Sequence, residues 1–205
     1  MKDLDSRTPI LRAAAALLVA AGVGGCALAG GSGPAPATFD LTAPDSFADI
    51  KGTSSAQILV KEPSALKALD SERIVVKPTP AAVEYYAGAQ WSDRLPRLVQ
   101  TRLAEAFENS RRFRAVGRPG DGLLIDYQIV TDIRAFQIET SGADEAVVTI
   151  SAKILNERNG RVVAARLFTA RLPVTASSTG SAVAGLDAAM DAVLGELVGW
   201  TVARI

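Results

Sequence analysis

Histidine is absent from these 205 residues, and there is a single cysteine, Cys26. Without histidine the chain holds no Ser-His-Asp triad, no Cys-His dyad and no HExxH zinc site. One cysteine leaves no intramolecular disulfide and no cysteine-rich zinc or iron–sulfur cluster. Charge of either sign is also missing in excess: 22 Lys+Arg stand against 22 Asp+Glu. A nucleic-acid binder normally carries a basic surplus, so no nucleic-acid partner is expected. Aromatic residues make up only 5% of the chain, but hydrophobic residues reach 48%, enough for one globular core. Nor is there a long apolar run. The longest, Ala13 to Gly25, would span ~20 Å as a helix, short of the ~30 Å hydrocarbon core of a bilayer.

What is present at the N-terminus is an address. Lys2, Arg7 and Arg12 precede the short apolar run, and small residues close it, which is the pattern of a secretory signal. Val23-Gly24-Gly25-Cys26 resembles the bacterial lipobox, an aliphatic residue and two small residues before a cysteine. That resemblance implies cleavage before Cys26, a diacylglycerol on its thiol and an acyl chain such as palmitate on its amine. Two such chains already hold a protein stably on a membrane, each buried CH₂ contributing ~0.8 kcal/mol. Residues 1–25 then read as signal peptide, and 205 − 25 = 180 residues remain. Ala27, where an aspartate favours retention in the inner membrane of enteric bacteria, points to the outer membrane, facing the periplasm.

Residues 26–38, the lipidated cysteine and ALAGGSGPAPAT, form a Gly/Pro-rich tether, and residues 39–205 form the folded domain. Short strands are predicted at Phe39–Leu41, Gln57–Lys61, Arg73–Lys77 and Val83–Ala87, with a loop over Asp45–Ser55 and a turn over Pro63–Asp70. Leu95, Leu98, Val99, Leu103 and Phe107 recur at helical spacing, with Pro96 tolerated in the first turn. Period-two alternation predicts strands over Leu123–Thr131 and Glu145–Leu155, with a bulge near Arg134. Asn159-Gly160 turns the chain into Val162–Leu172. A second helix covers Ser181–Ile205, with Gly195 and Gly199 expected to pack closely on the sheet. The fold class is α/β: a mixed, largely antiparallel sheet packed with two main helices.

Motifs that could carry chemistry each have a plainer reading. Ser64-Ala65-Leu66-Lys67 matches SxxK, but the SDN and KTG elements of penicillin-recognising enzymes are missing. Asp126 and Asp132 lie at even spacing on one strand and are read as solvated. Seven arginines between Arg94 and Arg118 give the stretch 93–118 a charge of 7 − 3 = +4. Anionic lipid headgroups would suit them, but a solvated helix face with Arg102–Glu105 and Glu108–Arg112 pairs is preferred. Tyr86 and Trp91 are the candidate partner-interface residues, with core packing as the alternative for aromatics in so aromatic-poor a chain.

Three strings carry a wider resemblance: Phe39-Asp-Leu-Thr-Ala-Pro44, Leu69-Asp-Ser-Glu-Arg-Ile-Val-Val-Lys-Pro78 and Tyr86-Ala-Gly-Ala-Gln-Trp-Ser-Asp-Arg-Leu-Pro-Arg-Leu-Val-Gln100. With Leu186-Asp-Ala-Ala189 and Trp200 near the end, they resemble the ABC-type transport auxiliary lipoprotein (PqiC-like) family over about residues 26–202. The resemblance implies an anticodon-binding-domain-like sheet-and-helix fold and a non-catalytic role without a cofactor. It also implies an MCE-domain periplasmic protein with ABC permease and ATPase subunits as partners, moving lipids between inner and outer membranes. Cys26 is the one functional position it transfers. Self-association is left open, and the alternative function is a stand-alone periplasmic carrier of a lipid or other apolar ligand, which would need a large apolar pocket.

Overall fold

Three long strands form the backbone of the sheet in the computed structural model, which describes residues 35–205. Their period-two sequences are long enough to pair along their whole length. The elements in chain order are β1 (Ala37–Phe39), β2 (Gln57–Val60), β3 (Ser64–Ala65), β4 (Arg73–Lys77), β5 (Glu84–Trp91), α1 (Leu95–Ser110), β6 (Ala115–Gly117), β7 (Tyr127–Glu139), β8 (Glu145–Asn156), β9 (Val162–Pro173) and α2 (Thr179–Val202).

β7 pairs antiparallel with β8, and β8 with β9. Along its other edge, β7 is lined by β2, β3 and β4 in succession, each parallel to it. β6 extends the sheet beyond β2, while β5 and then β1 extend it beyond β4. The nine strands therefore make one open, mixed sheet that is mostly antiparallel, as expected. The register of β7 against β8 shifts between Ile133 and Ala135, where the apolar phase of the sequence slips. Gly160 closes the β8–β9 hairpin at φ 68°, a conformation that glycine adopts without a Cβ penalty.

Both helices cover one face. Ile129, Ile133, Phe136 and Ile138 of β7 and Ala146, Val148, Ile150, Ala152 and Ile154 of β8 point into the core. They meet Leu186, Met190, Val193 and Leu197 of α2, and α1 packs beside α2 over β2 and β6. At roughly 1.5–3 kcal/mol per fully buried large apolar side chain, this layer is the main stabilising contribution. The opposite face carries Gln128, Asp132, Lys153 and the Thr149–Thr169 pair, whose hydroxyls lie 3.2 Å apart.

Several boundaries differ from the sequence reading. The strand at Val83–Ala87 runs on through Trp91, because Trp91 donates its N–H to the Glu72 carbonyl at 2.7 Å and pairs with Phe39 of β1. The strand over Leu123–Thr131 begins only at Tyr127; Leu123 instead folds over Gly117, where an added Cβ would lie 2.7 Å from its Cδ1. β3 and β6 were not expected, being too short to show a period. The close approach expected of Gly195 and Gly199 falls on Gly185, whose added Cβ would lie 2.1 Å from Val174 Cγ1 and 3.2 Å from Ala146 Cβ. At Gly195 there is open space, and Gly199 has Ile50 only at van der Waals distance. Among the described residues no helix is long and apolar enough to cross a membrane.

Candidate functional site

The three strings singled out in the sequence meet in space. Ser92 N–H donates to the Phe39 carbonyl at 2.7 Å, and Leu95 N–H, an orphan donor in the first turn of α1, is satisfied by the Ser71 carbonyl at 3.1 Å. Arg94 is ion-paired with Asp70 and reaches Glu62 at 3.3 Å. One turn or two further along the helix, Arg102 bridges Asp40 at 3.0 Å and Glu105 at 2.6 Å. Burial works to raise the Asp40 carboxyl, but bonds from Arg102 and the Leu41 N–H outweigh it and hold that group below its usual range. The strings thus tie β1, the turn before β4 and the start of α1 into one interlocked unit.

Trp91 sits inside that unit and is 1% exposed, its ring edge-on to Phe136 with centroids 5.7 Å apart. It is a core residue here and offers no surface to a partner, so the core alternative is the one realised for it. Its inward direction follows from its place in β5, which the sequence reading had ended four residues earlier. Tyr86 is half-buried against the core, and its hydroxyl is enclosed without a hydrogen-bond partner. Burial, with the charge of Asp144 nearby, pushes its phenol pKa up. Cys26 lies outside the described residues.

Four of the seven arginines, Arg94, Arg97, Arg102 and Arg112, make separate side-chain contacts, while Arg111, Arg114 and Arg118 form no ion pair among the described residues. Arg97 reaches Asp93 at 3.4 Å, and the Arg102–Glu105 pair forms as expected. The expected Glu108–Arg112 pair does not, because Arg112 turns to the backbone carbonyls of Phe47 at 3.4 Å and Gly52 at 3.5 Å. Ser64 of the SxxK string donates its hydroxyl to Asp132 at 2.8 Å, away from Lys67, and Asp132 also binds Arg134. Asp126 accepts the Gln57 N–H at 3.0 Å and meets Arg158 at 3.4 Å. These carboxylates pin strands together.

One electrostatic feature had no sequence signal. Asp187 of α2 accepts both the N–H and the hydroxyl of Thr42, at 2.7 and 2.8 Å. One turn on, Asp191 has an enclosed Oδ1 without a partner. Burial first, then the charges of Asp187 and Asp45, push Asp191 up to about 6. Aspartates four apart on a helix face can be seen in sequence, but Asp45 arrives from a loop nearly 150 positions away. That loop, with Phe47 and Ala48, also walls an open cleft of about 620 Å³ against Glu108–Arg112 at the end of α1. The space between sheet and α2, where an apolar ligand would sit, is filled by Phe168, Leu186, Met190 and Trp200.

Comparison with known proteins identifies the scaffold. The family model of the ABC-type transport auxiliary lipoprotein component matches residues 39–198. An uncharacterized protein of Bradyrhizobium diazoefficiens is 36% identical over 179 residues, covering 87% of this chain and 48% of that protein, so the chain spans about half the length of this curated relative. Among solved structures, a Xanthomonas campestris protein is 32% identical with a TM-score of 0.70, over 83% of this chain and 94% of that one. A structure of another uncharacterized protein shares the fold at 12% identity and a TM-score of 0.59, over 82% and 95% of the two chains. The chain belongs to the ABC-type transport auxiliary lipoprotein family.

Proposed function

We propose that this member of the ABC-type transport auxiliary lipoprotein family is a non-catalytic lipoprotein, held through Cys26 on the periplasmic side of the outer membrane. There it serves an ABC transporter that moves lipids between the two membranes. The observation that carries the reading is the match of the family's model to residues 39–198, nearly all of the described domain. The partners are an MCE-domain periplasmic protein and, through it, the permease and ATPase subunits. Its mode of action is positional: a tethered domain meets a partner at the same membrane at raised effective concentration, without added contact energy. Nine residue steps lead from Cys26 to Ala35, and at ~3.3–3.6 Å each they reach at most about 32 Å. The filled helix–sheet interior supports docking over the alternative of a stand-alone lipid carrier.

The test is an affinity pull-down of the intact lipoprotein from detergent-extracted membranes, with mass spectrometry of proteins and lipids. Recovery of an MCE protein with ABC subunits is expected. Stoichiometric lipid with no protein partner would replace this reading with the carrier. Cys26→Ser should leave an unacylated precursor, and density-gradient separation of the membranes should place the wild type in the outer-membrane fraction.

A further inference from the structure

Leu66 and Leu124 are the two most exposed large apolar side chains among the described residues, at 76% and 86%. Both lie along one side of the sheet. β8 occupies one edge of β7 over its whole length, so β2, β3 and β4 line the other. Leu66 follows β3, and Leu124 lies in the loop after β6, the strand that extends the sheet beyond β2. β1 is carried on this same side, beyond β4 and β5. The exposed Leu167 of β9 lies on the opposite side, beyond β8. The loop after β6 has a defined turn. Asp121 accepts the Arg118 N–H at 2.6 Å and returns its own N–H to the Arg118 carbonyl at 3.2 Å. Gly120 and Gly122 take φ of 102° and 71°, which doubles the chain back. Leu123 then folds over Gly117, and Leu124 is left in solvent. Residues 111–124 hold four arginines and one aspartate, and that aspartate is committed to the turn. Arg111, Arg114 and Arg118 are exposed and form no ion pair among the described residues, and the same holds for Lys61 and Lys67 beside Leu66.

We propose that this side of the domain is a membrane contact made by the protein itself. Leu124 and Leu66 enter the headgroup region of an anionic lipid surface, and the five unpaired cations meet its phosphates. Interfacial binding of this kind combines buried apolar area with attraction of basic groups to anionic lipid. Single surface leucines need no partner. Here the two most exposed ones share a side with five cations that no carboxylate neutralises. Their spacing favours a plane over a pocket. The registers put Gly117, under Leu123, level with Gln128 of β7, and Ala65 level with Ile133. At ~3.3 Å per residue the two leucines stand roughly 15–20 Å apart, too far for one protein pocket to take both. The tether fits the same orientation. From Cys26 to Ala35 the chain reaches at most about 32 Å. It joins the domain through β1, on this same side, so an acyl anchor leaves the contact within reach of its membrane.

The contact needs no acyl chain, which makes it separable from the anchor and from the transporter reading. The experiment is co-sedimentation of the full mature chain, residues 26–205, carrying Cys26→Ser. The probes are vesicles of phosphatidylglycerol with phosphatidylethanolamine, and vesicles of phosphatidylcholine alone. Binding to the first, weakened by salt, and little binding to the second are expected. Leu124→Glu should weaken it at least tenfold, and Arg114→Gln and Arg118→Gln about fivefold each. Leu167→Glu, on the far side, should leave it unchanged. All these side chains are exposed, so melting temperatures should stay close to that of the parent chain. Because Cys26 is the one cysteine, Leu124→Cys in this background takes a single polarity-sensitive dye. Its emission should shift to the blue on the phosphatidylglycerol vesicles, and the same dye placed through Leu167→Cys should not respond. Three results each overturn the proposal: no binding to phosphatidylglycerol vesicles, binding that Leu124→Glu leaves intact, or a protein captured through Leu124 by a chain that binds no vesicle.

Discussion

Thr42 and Asp187 are joined twice, backbone N–H and side-chain hydroxyl both donating to one carboxylate across 145 positions of sequence. The bond clamps the segment after β1 to the middle of α2. Asp187→Ala should cost about 1–2 kcal/mol, since bonds to a charged acceptor contribute more than neutral ones but these are exposed. Urea unfolding measures it. Asp187→Ala should also lower the pKa of Asp191, because one of the charges that raises it is gone.

Asp191 makes the domain pH-sensitive. Its carboxyl titrates at about 6 in the folded chain, above the ordinary 3.8, so the folded state binds the proton more tightly than the unfolded state. Stability from this group is present when the carboxyl is protonated and is lost as pH rises from about 4 through 6. Asp191→Asn removes the titration. It should stabilise the chain at pH 7.5 by about 1 kcal/mol, after allowance for solvent screening, and by less at pH 5. Equal gains at both pH values would show that Asp191 does not titrate in this window.

Trp91 should report on folding. Trp91→Ala removes a buried indole and its contact with Phe136, and a loss of about 3–5 kcal/mol is expected. Trp91→Phe retains part of the packing and should lose less. Calorimetry gives the ranking, and partner capture by Trp91→Phe should match wild type well below its melting temperature.

Gly185 and Gly195 should separate cleanly. Gly185→Ala sets a methyl group 2.1 Å from Val174 Cγ1, and overpacking of this kind costs about 1–3 kcal/mol. Val174→Ala in the same chain should recover much of the loss. Gly195→Ala meets nothing within 4 Å and should stabilise α2 by about 0.5–1 kcal/mol. Thermal melts of the three variants test both statements together.

The long elements were legible because their causes are local. Leu95 to Phe107 repeat at helical spacing, Glu145 to Leu155 alternate, and Asn159-Gly160 can only turn. Arg73–Lys77 was placed to the residue, and the bulge near Arg134 showed as a slip in apolar phase. The family strings were legible as well, but as text. That Trp91, Glu72, Ser71 and Leu95 are bonded neighbours does not follow from their spelling.

What the sequence determined by itself, then, was every feature that a short window of chain can enforce: the helical and extended periods, the Gly-turn of the hairpin, and the absence of histidine chemistry. Tertiary structure alone decided which glycine touches the sheet, which way Trp91 points, and that Asp45 comes to sit near Asp191. It also decided that β2, β3 and β4 line one edge of β7 in turn. Two- to five-residue strands have no stability or period of their own; β7 supplies their hydrogen bonds, and that strand lies 50 or more positions further along the chain. Pairings at that separation depend on loop closure and on the shared core, which no local pattern encodes.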